Sequence, residues 1–312
     1  MGVVWVRVRL TDIDSKIPNM ALMRLADHHI KRGDEVVYAR GSLRDLFDGQ
    51  YDKVYGSSVF RFAAPKRDTF IREFPEAILG GTGTDNQTTI EEITGDNSTG
   101  LDYSIYPKYP FSLGFTQRGC RLKCGFCVVP TKEGSNRGVN KISDIWRGQG
   151  HPKKVVLLDN DFFGQEDWRG RIREIKDGGF AVSINQGINV RLIHEEGARA
   201  LATVRYMDDQ FKSRRLYTAW DSLGDEKIFF RGIDMMEKAG IPPRHIMVYM
   251  LIGYKKDETW EERLYRFEKM KERGLMPYPM VYNNERRDLK QFQRWVIMRF
   301  HQFIKWEDYK KS

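Results

Sequence analysis

The chain has only three cysteines among 312 residues, and all of them fall between Cys120 and Cys127. A disulfide framework needs paired cysteines spread along the chain, so that architecture is excluded and a ligand role is the natural reading. Long apolar runs are missing as well. No stretch of the length needed to span a bilayer is free of charge, so no membrane partner is expected. Met1 to Leu10 alternates apolar residues with Arg7 and Arg9, as a strand does. It lacks the apolar block of a secretory signal, and a cytoplasmic location is the expectation. There is no internal repeat and no low-complexity run. The hydrophobic fraction of 40% and charged fraction of 30% are those of a globular chain rather than a disordered one. The length favours two compact units, or one barrel with an appendage.

Residues 1–95 read as a small α/β unit. Val3 to Leu10 is a strand, and Asn19 to Lys31 a helix with Met20, Met23, Leu25 and Ile30 on its apolar side. Gly33 is the stop signal. Strands follow at Glu35 to Ala39, Lys53 to Tyr55 and Ala77 to Leu79, the last running into Gly80-Gly81-Thr82-Gly83. Such alternation favours a mostly parallel, Rossmann-like sheet. Thr82 to Gly100 reads as a loop, and residues 96–110 as a linker. From Phe111 the alternation is more regular. Strands are expected at Ser112 to Thr116, Lys154 to Leu158, Ala181 to Asn185, Leu216 to Trp220, Ile246 to Ile252 and Tyr278 to Val281. Helices lie around Ile142, Trp168, Glu195, Glu226 and Trp260. Residues 111–283 therefore fit a partial parallel (βα)6, TIM-like barrel, since a closed eight-unit barrel needs about 250 residues. Residues 284–312 look like a closing helical extension, with Phe292, Trp295, Val296 and Phe300 inward.

The segment Gly114-Phe-Thr-Gln-Arg-Gly-Cys120-Arg-Leu-Lys-Cys124-Gly-Phe-Cys127 puts three thiols on one loop after the first strand of this second unit. That is the C-terminal end, where barrel enzymes assemble their chemistry. Three soft thiolates suit zinc or an iron-sulfur cluster. Structural zinc wants four closed ligands, and His151 and His194 stand at spacings that no short zinc motif uses. A site held by three cysteines keeps one position open for a substrate. A metal-knuckle nucleic-acid-binding protein without catalysis is the rival from outside the enzymes.

This segment resembles the radical S-adenosylmethionine (SAM) superfamily, whose signature is Cys-x-x-x-Cys-x-x-Cys with an aromatic residue before the third cysteine. Cys120, Cys124, Phe126 and Cys127 match every element. The resemblance implies a [4Fe-4S] cluster held by the three cysteines, with SAM on the fourth iron. One electron then cleaves SAM to methionine and a 5′-deoxyadenosyl radical that abstracts hydrogen from a substrate. An electron donor such as flavodoxin or ferredoxin is implied as a partner. Further motifs are placed by strand order. Asp159, Asn160 and Asp161 stand where the family carries a Gly-Gly-Glu-like turn for the SAM amino group, without its glycines; a polar loop is the alternative. Asn185, Gln186 and Asn189 at the third strand end resemble the family's ribose contacts, and Arg191 its partner for the SAM carboxylate, since a guanidinium matches a carboxylate in fork geometry; surface helix-start roles are the alternative for Asn189 and Arg191. Trp220-Asp221 sits where substrate-facing residues are common. Ile252-Gly253 resembles the strand end that packs on adenine, or is plain core.

The first unit resembles the cobalamin-binding domain of one branch of that superfamily. That branch carries an Asp-x-His-x-x-Gly loop, whereas the loop here reads Asp12-Ile-Asp14-Ser-Lys-Ile-Pro18, so cobalamin is not expected. His28 and His29 on the first helix are expected in solvent. The tRNA methylthiotransferases share the general scaffold but need three further cysteines, so sulfur insertion by that route is not expected. The net charge is +9; residues 118–137 carry five basic side chains against one acid, and residues 281–312 carry eight against four. Such a balance attracts SAM, an anionic substrate or a nucleic acid, and radical modification of a nucleic acid or nucleotide is the alternative activity.

Overall fold

A computed structural model describes residues 5–85, 88–95 and 100–310. The chain divides into two compact units, Met1–Pro110 and Phe111–Ser312. The first contains β1 (Arg7–Asp12), α1 (Met20–Lys31), β2 (Glu35–Arg40), β3 (Lys53–Ser57), α2 (Ala64–Glu73), β4 (Ile78–Gly80) and α3 (Ile90–Thr94). Its sheet is parallel throughout, in the order β2-β1-β3-β4. The chain steps outward from β1 to β2, then returns past β1 to β3 and β4, so β1 is central and its last five residues are buried. Asn19 caps α1 by accepting from the amides of Ala21 and Leu22, and its own side-chain amide donates to Ser57 Oγ at 2.8 Å.

Several expectations change here. Val3 and Val4 lie outside the described residues. Ile30 is exposed, because His29 occupies the inward position on α1. His29 is fully buried rather than solvated, with Nδ1 2.7 Å from Asp34 Oδ2 and Nε2 3.3 Å from the Tyr55 hydroxyl. The loop read over Thr82 to Gly100 holds α3, fixed by a capping box between Thr89 and Glu92. Of the expected linker, residues 96–99 lie outside the described residues. Residues 100–110 belong to the first unit: Asp102 N donates to Met23 O, and the Tyr106 hydroxyl donates to the buried Asp12 carboxylate at 2.9 Å.

The second unit runs β5 (Ser112–Gly114), β6 (Gln117–Arg118), α4 (Val129–Lys132), β7 (Arg137–Gly138), α5 (Ile142–Ile145), β8 (Lys154–Leu157), α6 (Trp168–Asp177), β9 (Ala181–Ile184), α7 (Glu195–Ala202), β10 (Arg205–Tyr206) and β11 (Leu216–Ala219). It continues through α8 (Glu226–Lys238), β12 (Ile246–Ile252), α9 (Trp260–Glu272), β13 (Met276–Val281), α10 (Arg287–Ile297) and α11 (Trp306–Tyr309). The six expected parallel strands are present, but in two ladders, β10-β9-β8-β5 and β11-β12-β13. The short β10 takes the free edge of β9, and among the described residues no ladder joins β9 to β11 or β5 to β13. A single backbone bond, Ile188 N to Tyr217 O at 2.6 Å, crosses the gap. One side of β12, from Ile246 to Ile252, is buried in the core under the helices, while Tyr249 on the other side stacks on Tyr217. Leu289, Phe292, Trp295 and Val296 of α10, with Trp306, belong to that same core; Phe300 is only partly buried. The apolar side of α10, with Trp306, is thus part of the second unit's core. Among the described residues no helix is long and apolar enough to cross a membrane.

Candidate metal centre

The three cysteines sit on an insert closed at its neck by β6 and β7, which pair antiparallel at Gln117 with Gly138 and Arg118 with Arg137. Gly119 opens the insert at φ +76°, where a Cβ would collide with the Ser135 carbonyl, so only glycine lets the two sides of the neck meet. Within it, Cys127 N donates to Cys124 O at 2.9 Å and Leu122 N lies 3.4 Å from Cys120 Sγ. All three thiols are half-buried and free.

Three acidic residues fasten this insert. Asp159, directly after β8, is fully buried and accepts from Thr116 N at 2.7 Å, Gln117 N at 3.1 Å and the Thr116 hydroxyl. Burial pushes its pKa up to about 7, against the pull of those donors. Asp161, also fully buried, holds Arg121 in a fork at 2.6 and 2.9 Å, with the Arg121 amide at 3.3 Å. Glu133 accepts from Arg118 Nε at 2.9 Å, Gly119 N at 3.0 Å and Asn160 Nδ2 at 2.7 Å. The carboxylates of Asp159 and Asp161, expected to face a SAM amino group, are thus engaged with the loop. Asp159 has both oxygens engaged out of solvent, and the Asn160 amide reaches Glu133.

Other strand ends reach the insert. Arg191 lies on a 3-10 turn after β9, where Nη1 donates to Asp225 Oδ2 at 2.6 Å and Nη2 stands 3.8 Å from Cys124 Sγ. After β12, the Tyr254 ring meets the Phe126 ring edge-on at 5.4 Å and Tyr282 at 5.0 Å. Asp221 accepts from Leu251 N at 2.9 Å, and burial holds its carboxyl above the usual carboxylate range. The remaining expected residues fall away from the thiols' known contacts. Asn185 is held through its backbone, N to Leu157 O and O from the Tyr249 hydroxyl at 3.4 Å; Gln186 is exposed. Ile252 is buried core on the helix side. Gly253, at φ +81°, makes room for Leu289 Cδ1 of α10, a packing role.

Sequence reasoning missed Gln117, Glu133, Asp225 and Tyr254. Gln117 is fully buried; its amide nitrogen lies 2.6–2.7 Å from Arg118 O, Gly119 O and Asn136 Oδ1, while its oxygen accepts from Asp161 N at 2.9 Å. Its place between the strand and Cys120 was the only signal.

The donor chemistry fits a thiolate-bound cluster. Burial raises the pKa of Cys120 and Cys127, and negative charge raises both further, from Asp161 and the other two thiols at Cys120 and from Cys124, Glu133 and Asp221 at Cys127; a cation bound to the sulfurs would offset that charge. No group of three or more His, Cys, Asp and Glu among the described residues sits as the ligands of a single ion do. A four-iron cluster attaches its thiolates to separate irons. No protein-family model, curated protein or solved structure matches this chain.

Proposed function

We propose that this chain is a radical SAM enzyme, with Cys120, Cys124 and Cys127 as the ligands of a [4Fe-4S] cluster on a partial parallel βα barrel. The first unit is then a Rossmann-like domain without cobalamin. The observation that carries the reading is the approach of Arg191 to Cys124 Sγ, because it brings a cation from the third strand end of the unit to the sulfur loop. When bound together, the cluster and SAM supply reductive cleavage of a carbon-sulfur bond and so begin radical chemistry on a substrate.

The chain's own residues bind, orient and shield. Asp159, Asp161 and Glu133 hold the loop so that its sulfurs need no ordering when metal arrives. Arg191, steadied by Asp225, donates toward sulfur and offers a guanidinium to the SAM carboxylate. Phe126, on the cysteine loop, packs edge-on against Tyr254. The exposed Lys123 and Arg137 suit an acidic one-electron donor such as flavodoxin or ferredoxin. Radical modification of a nucleic acid is the second reading, favoured by the basic balance of the cysteine loop.

Anaerobic reconstitution tests the proposal. About four irons per chain, with SAM converted to methionine and 5′-deoxyadenosine under dithionite, is the expected result. One zinc and no iron would overturn it.

A further inference from the structure

The first unit carries a second site-like feature, which the sulfur chemistry leaves unused. The order of strand addition in its sheet reverses between β1 and β3, and in open parallel sheets the crevice beyond the C-terminal strand ends at such a reversal is where ligands bind. Here that crest is a cleft of about 380 Å³ lined by Asp14, Lys16, Phe60, Phe62, Pro65 and Lys66. Phe60 and Phe62 stack at 5.0 Å with planes 18° apart, and Phe62 is 60% exposed. Lys16, Arg61 and Lys66 are exposed beside them.

The segment bearing the rings is fixed. Asp14 accepts from Ser58 Oγ at 2.8 Å, Val59 N at 2.7 Å and Phe60 N at 3.0 Å. Ser58 N donates to Gly80 O, Gly83 N donates to Ser58 O, and Arg67 Nη1 donates to the carbonyls of Phe60 and Arg61. An aromatic face held open to water on a preorganised loop costs little to engage, because its ordering is already done. Flat aromatic surface with cations at its edge is the chemistry that takes a base on the ring and phosphates on the ammonium groups.

We propose that this crest binds single-stranded nucleic acid, with a base stacked on Phe62 and the flanking phosphates paired with Lys16 and Lys66. The inference stands on the first unit alone and does not depend on the radical SAM reading. A hydrophobic partner would not use the lysines, and a purely electrostatic one would not use the exposed ring.

The test is fluorescence anisotropy of a short labelled oligoadenylate with the full chain, titrated over salt and without SAM. Phe62→Ala is expected to weaken binding about tenfold with unchanged circular dichroism, and Phe62→Trp to keep it. Lys16→Glu with Lys66→Glu should flatten the slope of log affinity against log salt by about one to two. Equal affinity of wild type and Phe62→Ala, or equal binding of the corresponding duplex, whose bases are already stacked, would overturn the proposal.

Discussion

The cysteine insert of the second unit and the aromatic crest of the first are built by the same device. In each, a carboxylate just past one parallel strand accepts two backbone amides and a hydroxyl from the loop beyond its neighbour. Asp159 after β8 does this for Thr116 and Gln117 after β5; Asp14 after β1 does it for Ser58, Val59 and Phe60 after β3. The difference is burial. Asp159 is fully buried, whereas Asp14 is half-exposed. The anchored backbone differs in the same way: Thr116 and Gln117 are fully buried, whereas Val59 is exposed and Phe60 half-buried. The same bonds therefore carry different energies, because an unsatisfied donor costs most where water cannot replace the lost acceptor.

The comparison breaks most visibly at the cargo. Cys124→Ala should abolish iron incorporation on reconstitution while leaving circular dichroism unchanged, because the insert is held by carboxylates rather than by sulfur. Loss of the folded signal together with iron would mean that the thiols are part of the anchor. The anchors themselves come next. Asp159→Ala strands two amides and a hydroxyl in a dry site and is expected to cost about 3 kcal/mol in urea unfolding. Asp14→Ala should cost about 1 kcal/mol, since Val59 is exposed and Phe60 half-buried, so that water can replace the carboxylate at their amides. Equal costs would show that burial does not set the difference.

A third test concerns the group that arrives from outside the insert. Arg191→Ala should weaken SAM binding by ten- to a hundredfold, about 1.5–3 kcal/mol, in equilibrium dialysis of the reconstituted protein. Arg191→Lys should recover part of that, because an ammonium cannot reproduce the fork, and iron content should not change. Unaltered SAM affinity in the alanine variant would leave Arg191 only its bond to Asp225.

The last test is one of pH. Asp159 keeps its proton up to about 7 in the folded chain, against an ordinary value of 3.8. A folded value above the unfolded one means that the folded state holds the extra proton between the two. Stability from this group is then full below about 4 and is lost as pH rises toward 7, with a slope of at most about 1.4 kcal/mol per pH unit. Asp159→Asn should remove that decline in thermal unfolding between pH 4 and 7; a slope that survives belongs to another group.

Much of the second unit was legible because its elements are long and periodic. β12 over Ile246–Ile252 has the expected bounds, and α8 stands at the expected Glu226. The cysteine spacing likewise marked the loop. What spacing could not reveal was which residues answer each other. Asp159 and Asn160 read as free acceptors because their partners, Thr116 and Glu133, lie 43 and 27 residues away. Asp225 meets Arg191 across 34 residues, and Tyr254 meets Phe126 only through the fold. His29 looked solvated because nothing in the helical period announces Asp34 and Tyr55 as its buried partners. The split into two ladders was hidden for a similar reason, since β10 is two residues long and carries no periodic signal.

The placement of α10 has a consequence for how the chain is made. Leu289, Phe292 and Trp295 complete a core whose other walls, β12, α9 and β13, all precede them in sequence. Synthesis therefore delivers α10, and Trp306 after it, once the walls they cover have been made, whereas every described element of the first unit has emerged before β5 is made. The first unit can fold during translation. The second must wait with an open apolar flank, and the sulfur loop waits with it, so the interval between the emergence of β13 and the docking of α10 is when this chain most needs protection from aggregation.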